Sequence, residues 1–286
     1  MIDRPSLRLH VSASSALTVT GPMADRAREF AQRWSAFHGR SPTPACDIQV
    51  LDAPREHVGL GAGTQLALSI GAALNAFFEI PPCSPAELAI SVRRGNRSAI
   101  GTYGFAGGGL IAEKGKLEGE PVAPLDCRVD MPADWRFVLI CSAGTGLSGI
   151  AEQSAFDQLP PVPEDVTREL ASIASESLFP AATMGDFEAF GEGLFRFGRV
   201  AGKCFAVQQG GPYNGPQLAN MVEAIQALGV RGVGQSSWGP TLFAVTRSED
   251  DATQLSKQIL ERFSLGNDEI WIAAPNNQGA VIEVEE

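Results

Sequence analysis

Along the chain, short runs of period two alternate with longer amphipathic stretches. Leu7-Arg8-Leu9-His10-Val11 and Asp47-Ile48-Gln49-Val50-Leu51 alternate apolar and polar residues as half-buried strands do. Between them, after Gly21-Pro22, the residues Ala27, Phe30, Ala31, Trp34 and Phe37 fall on one stripe of a helix that His38-Gly39 ends. Residues 66–78 are apolar nearly all round and predict a mostly buried helix. Ser84-Pro85-Ala86-Glu87 supplies an N-cap, a proline at the first helical position and a glutamate at the third, so a short helix to about Val92 is expected. Strands follow at Leu110-Ile111-Ala112 and 137–141. Beyond residue 160 the periodicity predicts helices around 164–177, 185–202 and 215–228, and then a strand at 241–246, a helix at 249–263 and a strand at 269–274.

Prolines at the density of Leu159-Pro160-Pro161-Val162-Pro163 exclude a helix or a central strand, which places a boundary there and gives units of 1–158 and 159–286. With 286 residues, 44% hydrophobic and 19% charged, the chain can bury a large core. A net charge of -11 argues against nucleic-acid or anionic-membrane partners. An anionic small-molecule substrate would need a local basic patch. Cysteines 46, 83, 127, 141 and 204 form no CxxC pair, so neither a disulfide framework nor a zinc cage is expected. With no signal-peptide pattern and no apolar run of membrane-spanning length, a cytoplasmic protein is expected.

The string His57-Val58-Gly59-Leu60-Gly61-Ala62-Gly63-Thr64-Gln65 sets three alternate glycines before the apolar helix. Such a loop reads either as a tight turn or as a phosphate cradle, because glycine lets oxygen anions reach the unpaired N–H groups of a helix start. It matches neither GxGxxG nor the Walker pattern. Arg93, Arg94 and Arg97 place three guanidinium groups within five residues, ahead of the glycines at 101–109. They form either a solvated cluster closing a helix or a set of phosphate forks. Two donor-rich loops lie further on, Gln208-Gln209-Gly210-Gly211-Pro212-Tyr213-Asn214-Gly215 and Val233-Gly234-Gln235-Ser236-Ser237-Trp238-Gly239-Pro240-Thr241. Each is either a connection or a site loop, with Trp238 packing on the core in the first case. His57 stands at the mouth of the glycine loop as an acid, a base or a phosphate donor. Glu152, Asp157, Asp186 and Glu188 are either solvated helix faces or Mg²⁺ ligands beside a phosphate.

Taken together, HVGLGAGTQ at 57–65, RRGNRSAIGTYGFAGGG at 93–109, GLSGIAEQSAF at 146–156 and GVGQSSWGPT at 232–241 resemble the beta-ribofuranosylaminobenzene 5'-phosphate synthases, a branch of the GHMP kinase superfamily. The resemblance implies an α+β, GHMP kinase-like two-domain fold, with an N-terminal domain like domain 2 of ribosomal protein S5 and a ferredoxin-like C-terminal domain. It implies condensation of 4-aminobenzoate or 4-hydroxybenzoate with phosphoribosyl pyrophosphate, releasing CO2 and pyrophosphate, as a step of methanopterin and one-carbon metabolism. No redox cofactor is implied, and Mg²⁺ and a homodimer are expected by analogy.

On that reading Gly59, Gly61, Ala62, Gly63, Thr64 and Gln65 hold phosphate oxygens, with Arg94, Ser98 and Gly108 beside them. Ser236, Ser237 and Trp238 position the aromatic acid or the ribose, and His57, Arg97 and Gln235 are the catalytic candidates. The related kinases carry GLGSSA in the loop, with a serine that helps to hold Mg²⁺. Ala62 and Gly63 stand in its place here, which weakens the alternative of an ATP-dependent small-molecule kinase while leaving nucleotide binding open. Synthases of the family begin with a strand bearing an Arg-Leu-His-Phe-Gly-like motif. Arg8-Leu9-His10 only partly echoes it, since Val11-Ser12 replaces Phe-Gly, and the chain is expected to enter the family pattern beyond that strand.

Overall fold

The computed structural model describes residues 1–40, 43–141, 146 and 149–285. In its first half, β1 (Arg8–Ala13) runs antiparallel to β3 (Cys46–Asp52), which pairs in parallel with β2 (Thr18–Thr20). The inward residues Ile48 and Val50 of β3 are buried against α1 (Ala24–Phe37) and α2 (Ala62–Phe77). The stripe on α1 buries Ala27, Phe30, Ala31 and Trp34, whereas Phe37 stays 51% exposed beyond the last turn that faces the core. Trp34 donates its indole N–H to Asn75 Oδ1 at 2.8 Å and so ties α1 to α2. Leu66, Leu68, Ile70 and Leu74 of α2 are fully buried, and truncating any of them to alanine costs about 2–5 kcal/mol.

α3 (Pro85–Ser91) carries the expected capping box: Ser84 Oγ accepts from the Glu87 N–H at 3.2 Å and Glu87 accepts from the Ser84 N–H at 2.8 Å. The glycine-rich run beyond it is a helix, α4 (Ile100–Gly107), which composition alone conceals because glycine is a poor helix former. Next comes a two-stranded antiparallel ribbon of β4 (Leu110–Glu113) and β5 (Leu125–Val129).

The second sheet has the order β7-β8-β6-β9, from β6 (Arg136–Cys141), β7 (Val233–Gln235), β8 (Thr241–Thr246) and β9 (Ile270–Ala273). The helices between β6 and β7 are α5 (Gly149–Asp157), α6 (Glu164–Ile173), α7 (Phe179–Met184), α8 (Phe187–Lys203), the short α9 (Ala206–Gln209) and α10 (Gly215–Ala227), with a π-helical turn at Ala174–Leu178. α11 (Glu249–Phe263) connects β8 to β9, so the strand, helix and strand expected at the C-terminal end are all present. Met221, Val222 and Ile225 of α10 and Leu255 and Ile259 of α11 pack on one face of the sheet, while Trp135, Phe179 and Phe190 form a separate cluster with Val245.

β6 lies between β8 and β9, with Leu139 opposite both Phe243 and Trp271. A strand N-terminal to the proline-rich segment is therefore central to a sheet whose other three strands are all C-terminal to it. The chain passes from one sheet to the other ahead of β6, not at 159. The prolines mark only the turn between α5 and α6, because local composition reports a break in helix and carries no information on strand pairing.

Candidate anion site at the start of α2

The glycine loop enters α2 through two left-handed residues, Gly59 at φ 84° and Gly61 at φ 71°. α2 begins at Ala62, so Ala62, Gly63, Thr64 and Gln65 form its first turn. The N–H groups of Thr64 and Gln65 donate to the Gly61 carbonyl at 2.9 and 3.1 Å, and no side chain caps the helix. The amide ends of that turn, with the positive pole of the dipole behind them, suit an anion. Thr64 packs on Gly101, where a Cβ would lie 2.9 Å from Thr64 Cγ2, and Gln65 donates to the Gly101 carbonyl at 3.3 Å. The first turns of α2 and α4 are thereby held together.

Around this point the four strings converge. Ser236 donates its hydroxyl to the Gly59 carbonyl at 2.7 Å, across 177 positions of sequence. A Cβ on Gly59 would run into the Ser236 carbonyl, so close approach as well as φ requires glycine there. The Gly146 N–H donates to the His57 carbonyl at 2.5 Å. Arg97 pairs with Glu152 of α5 at 2.9 Å and stands 4.6 Å from the centre of the Phe156 ring. Phe156 in turn meets Trp238 edge-on at 5.3 Å, and Phe205 meets Trp238 at 4.8 Å. Leu147 and Ser148 of the third string lie outside the described residues.

Several expected site residues build the loops in this structure. The Gln235 amide accepts from the Asn214 N–H at 2.6 Å and donates to the Ser237 carbonyl at 2.8 Å and to Gln209 Oε1 at 3.3 Å, so both of its ends are engaged. Trp238 is 5% exposed and fills the aromatic cluster. Ser237 is exposed and left-handed at the turn. Ser98 accepts from the Ile100 N–H at 3.3 Å at the start of α4. Gly108 lies at the other end of α4, where a Cβ would run into the Asn276 carbonyl, and so packs on the C-terminal segment away from the loop. Sequence adjacency misleads here, because α4 carries the two ends of one glycine-rich string to different places.

Arg94 is half-buried, and burial first, then the neighbouring charges of Arg26 and Arg33, holds its pKa below the ordinary arginine value. Its Nε is buried without a hydrogen-bond partner. A Cβ on Gly63 would lie 2.8 Å from Arg94 Nη2 and would run into Arg26 Nη2. Arg26 also pairs with Glu56 at 3.2 Å, and Glu56 with His57 at 3.4 Å. The sequence pattern passes over Arg26 and Glu56: the first reads as the solvated face of α1, and the second belongs to no motif. Arg93 is exposed and left-handed, ending α3.

On the other flank of the loop, Val58 and Leu60 line a cleft of about 360 Å³ with Pro54, Trp271, Arg4 and Arg55. The four carboxylates considered for Mg²⁺ do not gather. Glu152 holds Arg97, Asp186 caps α8 by accepting from the Ala189 N–H at 3.1 Å, Glu188 pairs with Arg231 and Arg247, and Asp157 is exposed at the end of α5. Among the described residues, no three His, Cys, Asp or Glu side chains are placed to share a metal ion. No helix among them is long and apolar enough to cross a membrane.

Comparison with known proteins bears out the resemblance read from the four strings. Residues 176–265 match the family described as GHMP kinases C terminal. The chain is 27% identical to the beta-ribofuranosylphenol 5'-phosphate synthase of Archaeoglobus fulgidus over 99% of its own length and 90% of the relative's. It is 29% identical to the synthase of the same name from Methanothermobacter thermautotrophicus, over 78% of this chain and 69% of that one. Among solved structures, homoserine kinase from Cytophaga hutchinsonii superposes with a TM-score of 0.63 at 15% identity, covering 97% of this chain and 89% of the kinase. Mevalonate pyrophosphate decarboxylase from Streptococcus pyogenes does so with a TM-score of 0.68 at 12% identity, covering 96% and 88%. The α+β, GHMP kinase-like fold stands on these likenesses together with the mixed helices and strands described above.

Proposed function

We propose that this chain, a relative of the beta-ribofuranosylphenol 5'-phosphate synthases built on the GHMP kinase fold, joins a 4-substituted benzoate to phosphoribosyl pyrophosphate, with loss of CO2 and pyrophosphate, on the route to methanopterin. The observation that carries this reading is the start of α2, an uncapped helix end opened by two left-handed glycines with the half-buried Arg94 against it. In the reaction, the bond from sugar C1 to pyrophosphate breaks and its electron pair leaves with the pyrophosphate. The ring carbon that bears the carboxylate bonds to C1, the carboxylate departs as CO2, and the pair from that broken bond restores aromaticity.

No proton need be removed from the ring carbon, so the main task of the site is electrostatic: to stabilise the charge that grows on the leaving diphosphate. The backbone N–H groups ahead of Thr64, whose own N–H is held by the Gly61 carbonyl, and the Arg94 guanidinium supply that. Arg97, Ser98, Gln235 and Trp238 act by holding the loops. The cleft beside Val58 and Leu60 suits the aromatic ring in size, with Trp271 in its wall; Arg4, Arg55 and Asp52 also line it, Arg4 paired with Asp3 and Arg55 with Asp268. Mg²⁺ is proposed only as an ion that accompanies the diphosphate, because among the described residues no three His, Cys, Asp or Glu side chains are placed to share a metal ion. The name of the relatives puts 4-hydroxybenzoate ahead of 4-aminobenzoate.

The test incubates the protein with phosphoribosyl pyrophosphate, Mg²⁺ and each carboxyl-labelled acid in turn, beside an ATP control. Release of labelled CO2 that depends on phosphoribosyl pyrophosphate is expected. Retained label together with ATP-dependent phosphorylation of an acceptor would replace this reading with that of a kinase.

A further inference from the structure

Two guanidinium groups from separate elements meet over one glycine. Arg26, from the first turn of α1, and Arg94, from the segment after α3, both reach the point where any residue but glycine at position 63 would carry its Cβ. Both also lie against the Phe30 ring, at 6.0 and 5.5 Å. Like charges brought together beside a helix N-terminus repel each other and the dipole, and the buried Nε of Arg94 lacks a partner besides. The carboxylates facing the pair are Glu56, on Arg26, and the more distant Glu152. Such an arrangement is unfavourable when empty and favourable once an anion lies between the guanidinium forks and the first N–H groups of α2.

We propose that Arg26 is a second diphosphate-binding residue, closing with Arg94 over Gly63 on the pyrophosphate group of the phosphorylated sugar, and that Glu56 is the counter-ion it gives up when that group binds. Glu56 Oε2 lies 3.4 Å from His57 Nε2. This rests on the start of α2 being the diphosphate site.

The test is calorimetric titration of the whole protein with inorganic pyrophosphate, in parallel with the labelled-CO2 assay. A charge-assisted hydrogen bond is worth enough that Arg26→Gln should weaken pyrophosphate binding by roughly ten- to a hundredfold. Arg26→Lys, which keeps the charge and loses the fork, should fall between that variant and the unmodified protein. Glu56→Gln removes the competing carboxylate and should tighten binding several-fold. Gly63→Ala is a favourable helix substitution whose methyl group displaces only two flexible guanidinium tips, so thermal stability should hold while pyrophosphate affinity falls. In turnover, Arg26→Gln should raise KM for phosphoribosyl pyrophosphate and leave KM for the aromatic acid unchanged. Unchanged affinity in Arg26→Gln, weaker binding in Glu56→Gln, or no binding by the unmodified protein would overturn the proposal. Pyrophosphate binding without CO2 release would overturn the synthase reading and leave this one standing; CO2 release with affinity indifferent to Arg26 would do the reverse.

Discussion

Gly59 and Gly61 look alike in the sequence and differ in what surrounds them. Both are left-handed, which costs a residue with a Cβ about 1–2 kcal/mol. Around Gly61 a Cβ would meet nothing within 4 Å, whereas at Gly59 it would strike the Ser236 backbone. Gly61→Ala should therefore lower stability by about that strain alone, and Gly59→Ala by clearly more, as read by chemical denaturation. Equal losses would show that the loop does not rest on Ser236. In the cleft, Trp271→Ala should raise KM for the aromatic acid and leave KM for phosphoribosyl pyrophosphate near its original value; a change in the second alone would remove the ring from that cleft. The glycines were legible because their spacing is a backbone statement. The role of Gln235 was not, since a donor-rich side chain looks the same whether it faces a ligand or, as here, Asn214, Gln209 and Ser237.

Among the elements, α3 is the one most fully written in the local sequence. Its Ser84 and Glu87 satisfy each other's backbone donors, so Ser84→Ala should cost about 1 kcal/mol of stability in a denaturant titration. The hydrogen bonds from the Ser84 N–H and hydroxyl hold the Glu87 carboxyl below its ordinary pKa of 4.5. A depressed carboxylate contributes stability that is fully present above the unfolded-state pKa and is lost as pH falls through the lower folded value. The stability difference between the natural protein and Glu87→Gln should accordingly shrink as pH drops below about 4.5, and a difference that widened there would contradict the cap. α4 shows the opposite case. Its glycines hide it from propensity, and it exists because its first turn packs on that of α2 and its last turn on the C-terminal segment.

In the whole molecule the decisive feature is β6. Val138 and Ile140 are fully buried in the central strand, hydrogen-bonded to β8 on one side and to β9 on the other. A fragment of residues 159–286 lacks that strand and would expose two unpaired edges. It should show no cooperative thermal transition, whereas one of residues 131–286 should. Equal folding of the two would return the boundary to the proline-rich segment. The site has the same dependence on the whole, since the glycine loop before α2 is held by Ser236, from the turn between β7 and β8.

By itself the sequence determined the local matters: where the strongly periodic helices and strands run, which face of each is apolar, how α3 is capped, and that a glycine-rich loop opens a helix. These depend on spacing and backbone preference, which act over a few residues. Only the tertiary structure decided which strands are neighbours, that Gln235 is engaged by Asn214, Gln209 and Ser237 and Trp238 by Phe156 and Phe205, and that Arg26 crosses from α1 to meet Arg94 over Gly63. Those outcomes depend on contacts between residues tens to hundreds of positions apart, and side-chain chemistry alone does not say which of many compatible partners a chain will bring together.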